Sequence, residues 1–177
     1  ERTQTPMMSV ETQTPLADFA VIGFTISFEM DYFNVVKMLA QSRVRLRSAE
    51  RGARDPLIIA GGPCATFNPE PLAEMVDAFV IGEGEAVVPA LMDAYHESLR
   101  CGEDRADLLR RLARVPGVYV PTLYTPIYDK EGQFTELTPE DGAPAVIARQ
   151  WVEDLDTHPA HTVVVTEDTE FNFYLIE

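Results

Sequence analysis

Leu57-Ile-Ile-Ala-Gly-Gly-Pro63 and Ala78-Phe-Val-Ile-Gly-Glu-Gly-Glu85 decide how this chain folds. Each is a short apolar run that stops on glycines, the pattern of a strand buried on both faces and ending in a tight turn. Between them, around Pro69 to Val76, there is room for a short helix. Toward the amino terminus, Phe19-Ala-Val-Ile-Gly-Phe-Thr-Ile-Ser-Phe28 is rich in β-branched and aromatic residues and reads as another strand of the same kind. Asp31 is placed to cap a helix in which Phe33, Val36, Leu39 and Ala40 recur at helical spacing. A basic stretch, Arg43 to Arg54, then returns the chain to the start of the next strand. Beyond Glu85, Val87, Val88, Leu91, Ala94, Tyr95 and Leu99 line one side of a longer helix. Leu108, Leu109 and Leu112 do the same in a helix over about residues 104–113.

Strands and helices alternating at this spacing build βαβ units with a parallel sheet. The expected fold class is therefore α/β: a three-layer, Rossmann-like or flavodoxin-like, mainly parallel sheet over residues 1–114, with its first strand upstream of Glu1. From Pro116-Gly117 the pattern changes. Val118 to Tyr128 reads as extended, Asp129-Lys-Glu-Gly132 as a turn, and Gln133 to Leu137 as a returning partner strand. Residues 139–170 are rich in Pro, Asp, Glu and Thr and read as a linker. Residues 115–177 thus form a second unit, an extended β-hairpin followed by an acidic linker. The opening without Met and the strand-like close at Phe171 to Glu177 both read as cut points in a longer polypeptide.

Fourteen basic residues stand against 29 acidic ones, a net charge of −15. Such a surface repels phosphate backbones and anionic lipid, which argues against nucleic acid and membrane as partners. From Val115 onward there are 2 basic and 12 acidic residues, so most of the excess lies in the second unit. No apolar run approaches the roughly 20 residues needed to span a bilayer. Cys64 and Cys101 form neither a disulfide framework nor a metal site. Reduced thiols of a cytoplasmic protein are the plain reading, and oligomeric state is not legible.

Open parallel sheets bind ligands outside the carboxyl ends of their strands. Three features fall at such ends: Thr25-Ile-Ser27 after the first strand, Gly61-Gly62 after the second, and Gly82-Glu83-Gly84-Glu85 after the third. Glycines there let a ligand approach the backbone, while hydroxyls and amides supply hydrogen bonds. Each alone is more simply a tight turn or a solvated helix start; their coincidence is what points to a binding rim. Cys64, after Gly-Gly-Pro, would border that rim, but no neighbouring His activates it. His158-Pro-Ala-His161 has a metal-like spacing, yet Pro159 breaks the helix that would align the rings, and His96 falls on the solvent side of its helix. No catalytic set and no metal site can be assembled.

Pro56 to Glu74 and Val76 to Glu85, preceded by Asp18 to Val36 and Leu46 to Arg51 and followed by Pro116 to Pro121, resemble a known family. The likeness is to the N-terminal, cobalamin-binding-like region of radical S-adenosylmethionine (SAM) proteins, cut before the CxxxCxxC motif of the barrel. It covers most of residues 15–128 with order and spacing kept. What the resemblance implies is an accessory domain beside a barrel of the same polypeptide, acting as a substrate or cobalamin platform. The whole protein would be an enzyme holding a four-iron four-sulfur cluster and S-adenosylmethionine, with cobalamin as a further cofactor, while this region alone would catalyse nothing. By the same resemblance, Thr25 and Ser27 would flank a nucleotide tail, Gly61 and Gly62 would let it pass, and Gly82, Glu83, Gly84 and Glu85 would close the cleft. The DxHxxG motif that ligates cobalt in such domains is absent. Two other readings stay open: a degenerate domain serving only packing or docking, and a free-standing small-molecule binding protein.

Overall fold

A computed structural model describes residues 5–158. Four strands form one sheet in the order β1 (Val21–Thr25), β2 (Leu57–Gly61), β3 (Ala78–Val80) and β4 (Val118–Tyr119). The first three run parallel, and β4 is antiparallel to β3. The fold is thus the expected α/β class with a mostly parallel sheet.

Alternation along the strands sorts the core into two layers. Ile58, Ala60, Phe79 and Ile81 face the side covered by α1 (Asp31–Gln41) and α2 (Pro63–Phe67). Leu57, Ala78, Val80 and Val118 face the other side, covered by α3 (Gly84–Cys101) and α4 (Arg105–Leu112). One helical crossover between parallel strands keeps their direction, as in β1–α1–β2. Two helices in succession between β3 and β4 reverse it, which is why β4 runs antiparallel.

The helix over residues 104–113 forms as expected, with the Asp104 side chain accepting from the Asp107 amide at 2.9 Å. Elsewhere the boundaries move. The first strand is five residues long and sits at the sheet edge, with Gly23 and Thr25 exposed. It is therefore not buried on both faces, because α3 lies over β2 and β3 and leaves that side of β1 open. In α1 the buried residues are Val35 and Leu39, while Phe33 points outward; Met30, not Asp31, is the N-cap. In place of the helix expected around Pro69 to Val76 there is a single 3-10 turn at Glu70–Leu72, and the short helix α2 comes earlier, directly after β2. In α3, Val87 and Leu91 are buried, but Leu99 is exposed.

Val118 to Tyr128 also divides. Val118 and Tyr119 complete the main sheet, and after a turn at Pro121–Leu123 the chain forms β5 (Tyr124–Tyr128), which pairs with β6 (Phe134–Pro139) in the expected hairpin. No helix among the described residues is long and apolar enough to cross a membrane. His161 and the strand expected over Phe171 to Glu177 lie outside the described residues.

Candidate functional site

Register brings the strand ends together. Thr25 pairs with Gly61, and the Ile26 amide donates to the Gly61 carbonyl at 2.9 Å. Beside them the end of β3 leads straight into the first turn of α3. The result is a cleft of about 450 Å³ over the open face of β1, lined by Gly23, Thr25, Ile59, Gly61 and, across the gap, Glu85 and Val88. Gly62, Gly82 and Gly84 also reach its wall. Ser27 lies past the strand and is exposed, outside that lining.

The glycines at this rim are there for different reasons. Gly62 has φ +92°, and a Cβ on it would stand 2.9 Å from the Ile26 carbonyl oxygen. Its lack of a side chain lets the ends of β1 and β2 close on each other. Gly82 has φ +117°, and its missing Cβ leaves room for the backbone of Gln150. That segment returns from beyond the hairpin. The Gln150 amide donates to Ile81 (3.0 Å), the Glu83 amide donates to Gln150 (3.0 Å), and the Val152 amide donates to a Glu83 carboxylate oxygen (2.5 Å). Glu83 is thus engaged with the chain itself. Gly23 and Gly61 face the cleft with only ordinary contacts where a Cβ would sit.

The groups left over at the cleft are the Thr25 hydroxyl and the Glu85 carboxylate, neither of which hydrogen-bonds to a described residue. Among the described residues, Glu85 is the one charged residue in the lining. It lies in the first turn of α3, where the unpaired amides of a helix start favour a carboxylate.

A second cavity, about 490 Å³, lies between the hairpin and the opposite end of the sheet. Most of its polar groups bond to the chain itself. The Tyr119 hydroxyl donates to Glu70 at 2.6 Å, the Tyr124 hydroxyl to the Pro144 carbonyl at 2.7 Å, and Arg47 pairs with Glu74. Burial, then the Glu70 bond, raises the Tyr119 phenol well above its ordinary value. Such a cavity offers a ligand few free partners.

The same end of the sheet holds a cluster that sequence reading missed. Asp77, fully buried just before β3, accepts from Ser48 (2.5 Å), Arg51 (3.0 Å), the Ile58 amide (2.7 Å) and Arg105 (2.7 Å). The Arg51 side chain has no exposed surface, and burial lowers its pKa despite the neighbouring carboxylate. Part of the Arg43–Arg54 stretch is therefore internal wiring. An Asp before a β-strand and an Arg within a basic stretch are ordinarily surface residues, so nothing in the spacing marked this pairing.

A family profile described as radical SAM proteins, N-terminal, matches residues 1–121. The chain belongs to that family. An uncharacterised protein of Methanocaldococcus jannaschii is 34% identical over 76 residues, which is 43% of this chain and 16% of that relative. No solved structure matches.

The donor set present does not fit an iron–sulfur cluster. A CxxxCxxC site needs three thiolates; this chain has two cysteines, Cys64 buried and Cys101 exposed. Among the described residues, no group of three or more His, Cys, Asp or Glu is arranged for a metal ion. Cys64 sits under the rim in α2, where burial, with Glu29 and Asp31 nearby, pushes its thiol up and away from a nucleophilic thiolate. Cobalt ligation by a protein imidazole does not fit the described rim either. No His is among the described residues lining the cleft, and His96 lies twelve residues along α3 from Gly84, roughly 18 Å by helical rise.

Proposed function

We propose that this region is the accessory domain of a radical SAM enzyme and that the cleft above Gly23 and Gly61 holds a small molecule for the linked catalytic domain. The observation that carries the reading is the pairing of unengaged groups, Thr25 hydroxyl and Glu85 carboxylate, with an apolar floor at three converging strand ends. The rim residues that take part are Thr25, Gly61, Gly62, Gly82, Gly84 and Glu85. Ser27 and Glu83 lie outside the cleft lining, and Glu83 holds the returning segment beside Gly82. A single carboxylate with no cation in the lining disfavours phosphate and favours a neutral or cationic ligand. The iron–sulfur cluster and S-adenosylmethionine belong in this reading to the linked domain. The domain boundary near residue 114 and the acidic linker beyond the hairpin are part of the same proposal.

Gly23→Val tests it. The new side chain meets Ile59 Cγ1 at ordinary distance, and its branches fill the cleft on an exposed edge strand that tolerates them. Equilibrium dialysis of the full-length protein against a metabolite extract, read by mass spectrometry, should retain a neutral or cationic compound that Gly23→Val loses. Hydroxocobalamin in a parallel arm tests the corrinoid reading through its absorbance shift. Equal retention by parent and variant of every compound sinks the cleft as the site.

A further inference from the structure

Next to the cleft, on the α1–α2 side of the same rim, four large apolar side chains face solvent: Phe28 and Met30 at 70%, Phe33 at 71% and Phe67 at 84% exposure. They sit on segments stitched to one another. The Asp31 amide donates to the Phe28 carbonyl, and the Cys64 amide to the Ile26 carbonyl. The Tyr32 hydroxyl donates to the carbonyls of Asn68 (2.8 Å) and Cys64 (3.2 Å). Nothing in the domain's own packing requires these four residues to be apolar. We infer that this patch is the surface on which the linked radical SAM domain docks, so that the cleft opens toward that domain. The inference rests on the accessory-domain reading and deepens it.

Size favours this occupant over a second copy. Four such side chains at these exposures present on the order of 500 Å². That is short of the roughly 800 Å² per partner of a stable complex between separate molecules. It matches one side of an interface between domains of one chain, which buries about 600–1,500 Å² in total. Covalent linkage supplies the missing affinity as effective concentration. The path of the chain agrees. Residues 150–152 return to this end of the sheet, bonded to Ile81 and Glu83, and not to the arginine-rich opposite end. Charge adds a constraint on the docking face. Glu29 and Asp31 flank the patch, and Glu85 stands beyond it in the cleft wall. The complementary surface is apolar with basic residues at its margin, and its docking weakens as salt rises.

Thiol labelling of the full-length protein, resolved by peptide mass spectrometry, reads this directly. Phe67→Cys replaces a side chain with no core role, and Val10→Cys, at 92% exposure, provides the open reference. Position 67 should label at least tenfold more slowly than position 10 at a concentration where the protein is monomeric by light scattering. Adding Phe28→Ser and Phe33→Ser should restore fast labelling. Labelling at position 67 as fast as at position 10 overturns the inference, and so does protection that disappears on dilution, which would assign the patch to a second copy. Ligand retention measured on the same Phe67→Cys preparation separates the two readings. Slow labelling without any retained compound removes the ligand and leaves the docking face standing.

Discussion

Gly23 and Gly62 both border the cleft, yet substitution should treat them oppositely. Gly62 combines φ +92° with a backbone oxygen 2.9 Å from where a Cβ would be, so Gly62→Ala should cost about 1–3 kcal/mol of stability. Gly23 has ordinary contacts, and Gly23→Ala should be neutral to mildly stabilising, since it restricts the unfolded chain. Urea denaturation of the two variants checks the contrast; equal costs would mean that the ends of β1 and β2 are not packed as described. Asp77 is the other residue whose loss should be severe. It faces Arg51 and Arg105 in the interior, and Asp77→Asn leaves those guanidiniums without their counter-charge. Breaking a buried pair from one side costs on the order of 3–5 kcal/mol. A denaturation midpoint within error of the parent would show that the cluster admits water.

At the scale of elements, the turn joining α3 to α4 has a measurable electrostatic signature. Arg111 Nε donates to Glu103 at 2.8 Å, with a second guanidinium bond beside it. Those bonds hold the Glu103 carboxyl at about 2, against an ordinary 4.5. A depressed carboxylate contributes stability that is complete above pH 4.5 and fades as pH falls toward 2. The gap in Tm between parent and Glu103→Gln should therefore narrow from pH 5 to pH 3; a constant gap contradicts the bond. How much of this architecture could be read in advance follows the same physics. Leu57 to Ala60 and Ala78 to Ile81 were legible because both faces of each run are apolar, and Leu108, Leu109 and Leu112 because their helix has one clean buried stripe. Phe33 misled, since an aromatic at helical spacing looks like core whether it faces the sheet or an external surface. Val118-Tyr119 could not be separated from the hairpin that follows, because extended residues give no sign of which sheet they join. At the cleft, the three strand ends were visible as Thr25, Gly61 and the glycines at 82 and 84. The diversion of Glu83 to the Val152 amide was not visible, as it depends on a segment nearly seventy residues away.

On the scale of the whole molecule, the sheet has two unlike ends. Arginines 45, 47, 51, 105 and 110 gather at the amino ends of the strands with their carboxylate partners. The carboxyl ends carry the cleft, its free Glu85 and the exposed apolar patch. Apart from the buried Arg105 Nε, the arginines at the amino end have partners within the chain, while the other end holds unmet hydrogen-bonding and hydrophobic capacity. That asymmetry is the physical basis for placing the working face of this radical SAM N-terminal domain at the carboxyl rim. An experimental structure of the full-length protein, purified without added ligands, tests the claim most directly. The account predicts density for a non-protein molecule above Gly23 and Gly61, with a polar atom in hydrogen-bond reach of Thr25 Oγ1 or the Glu85 carboxylate. Side chains from another part of the polypeptide packed into that space, covering β1 as α3 covers β2 and β3, would contradict it.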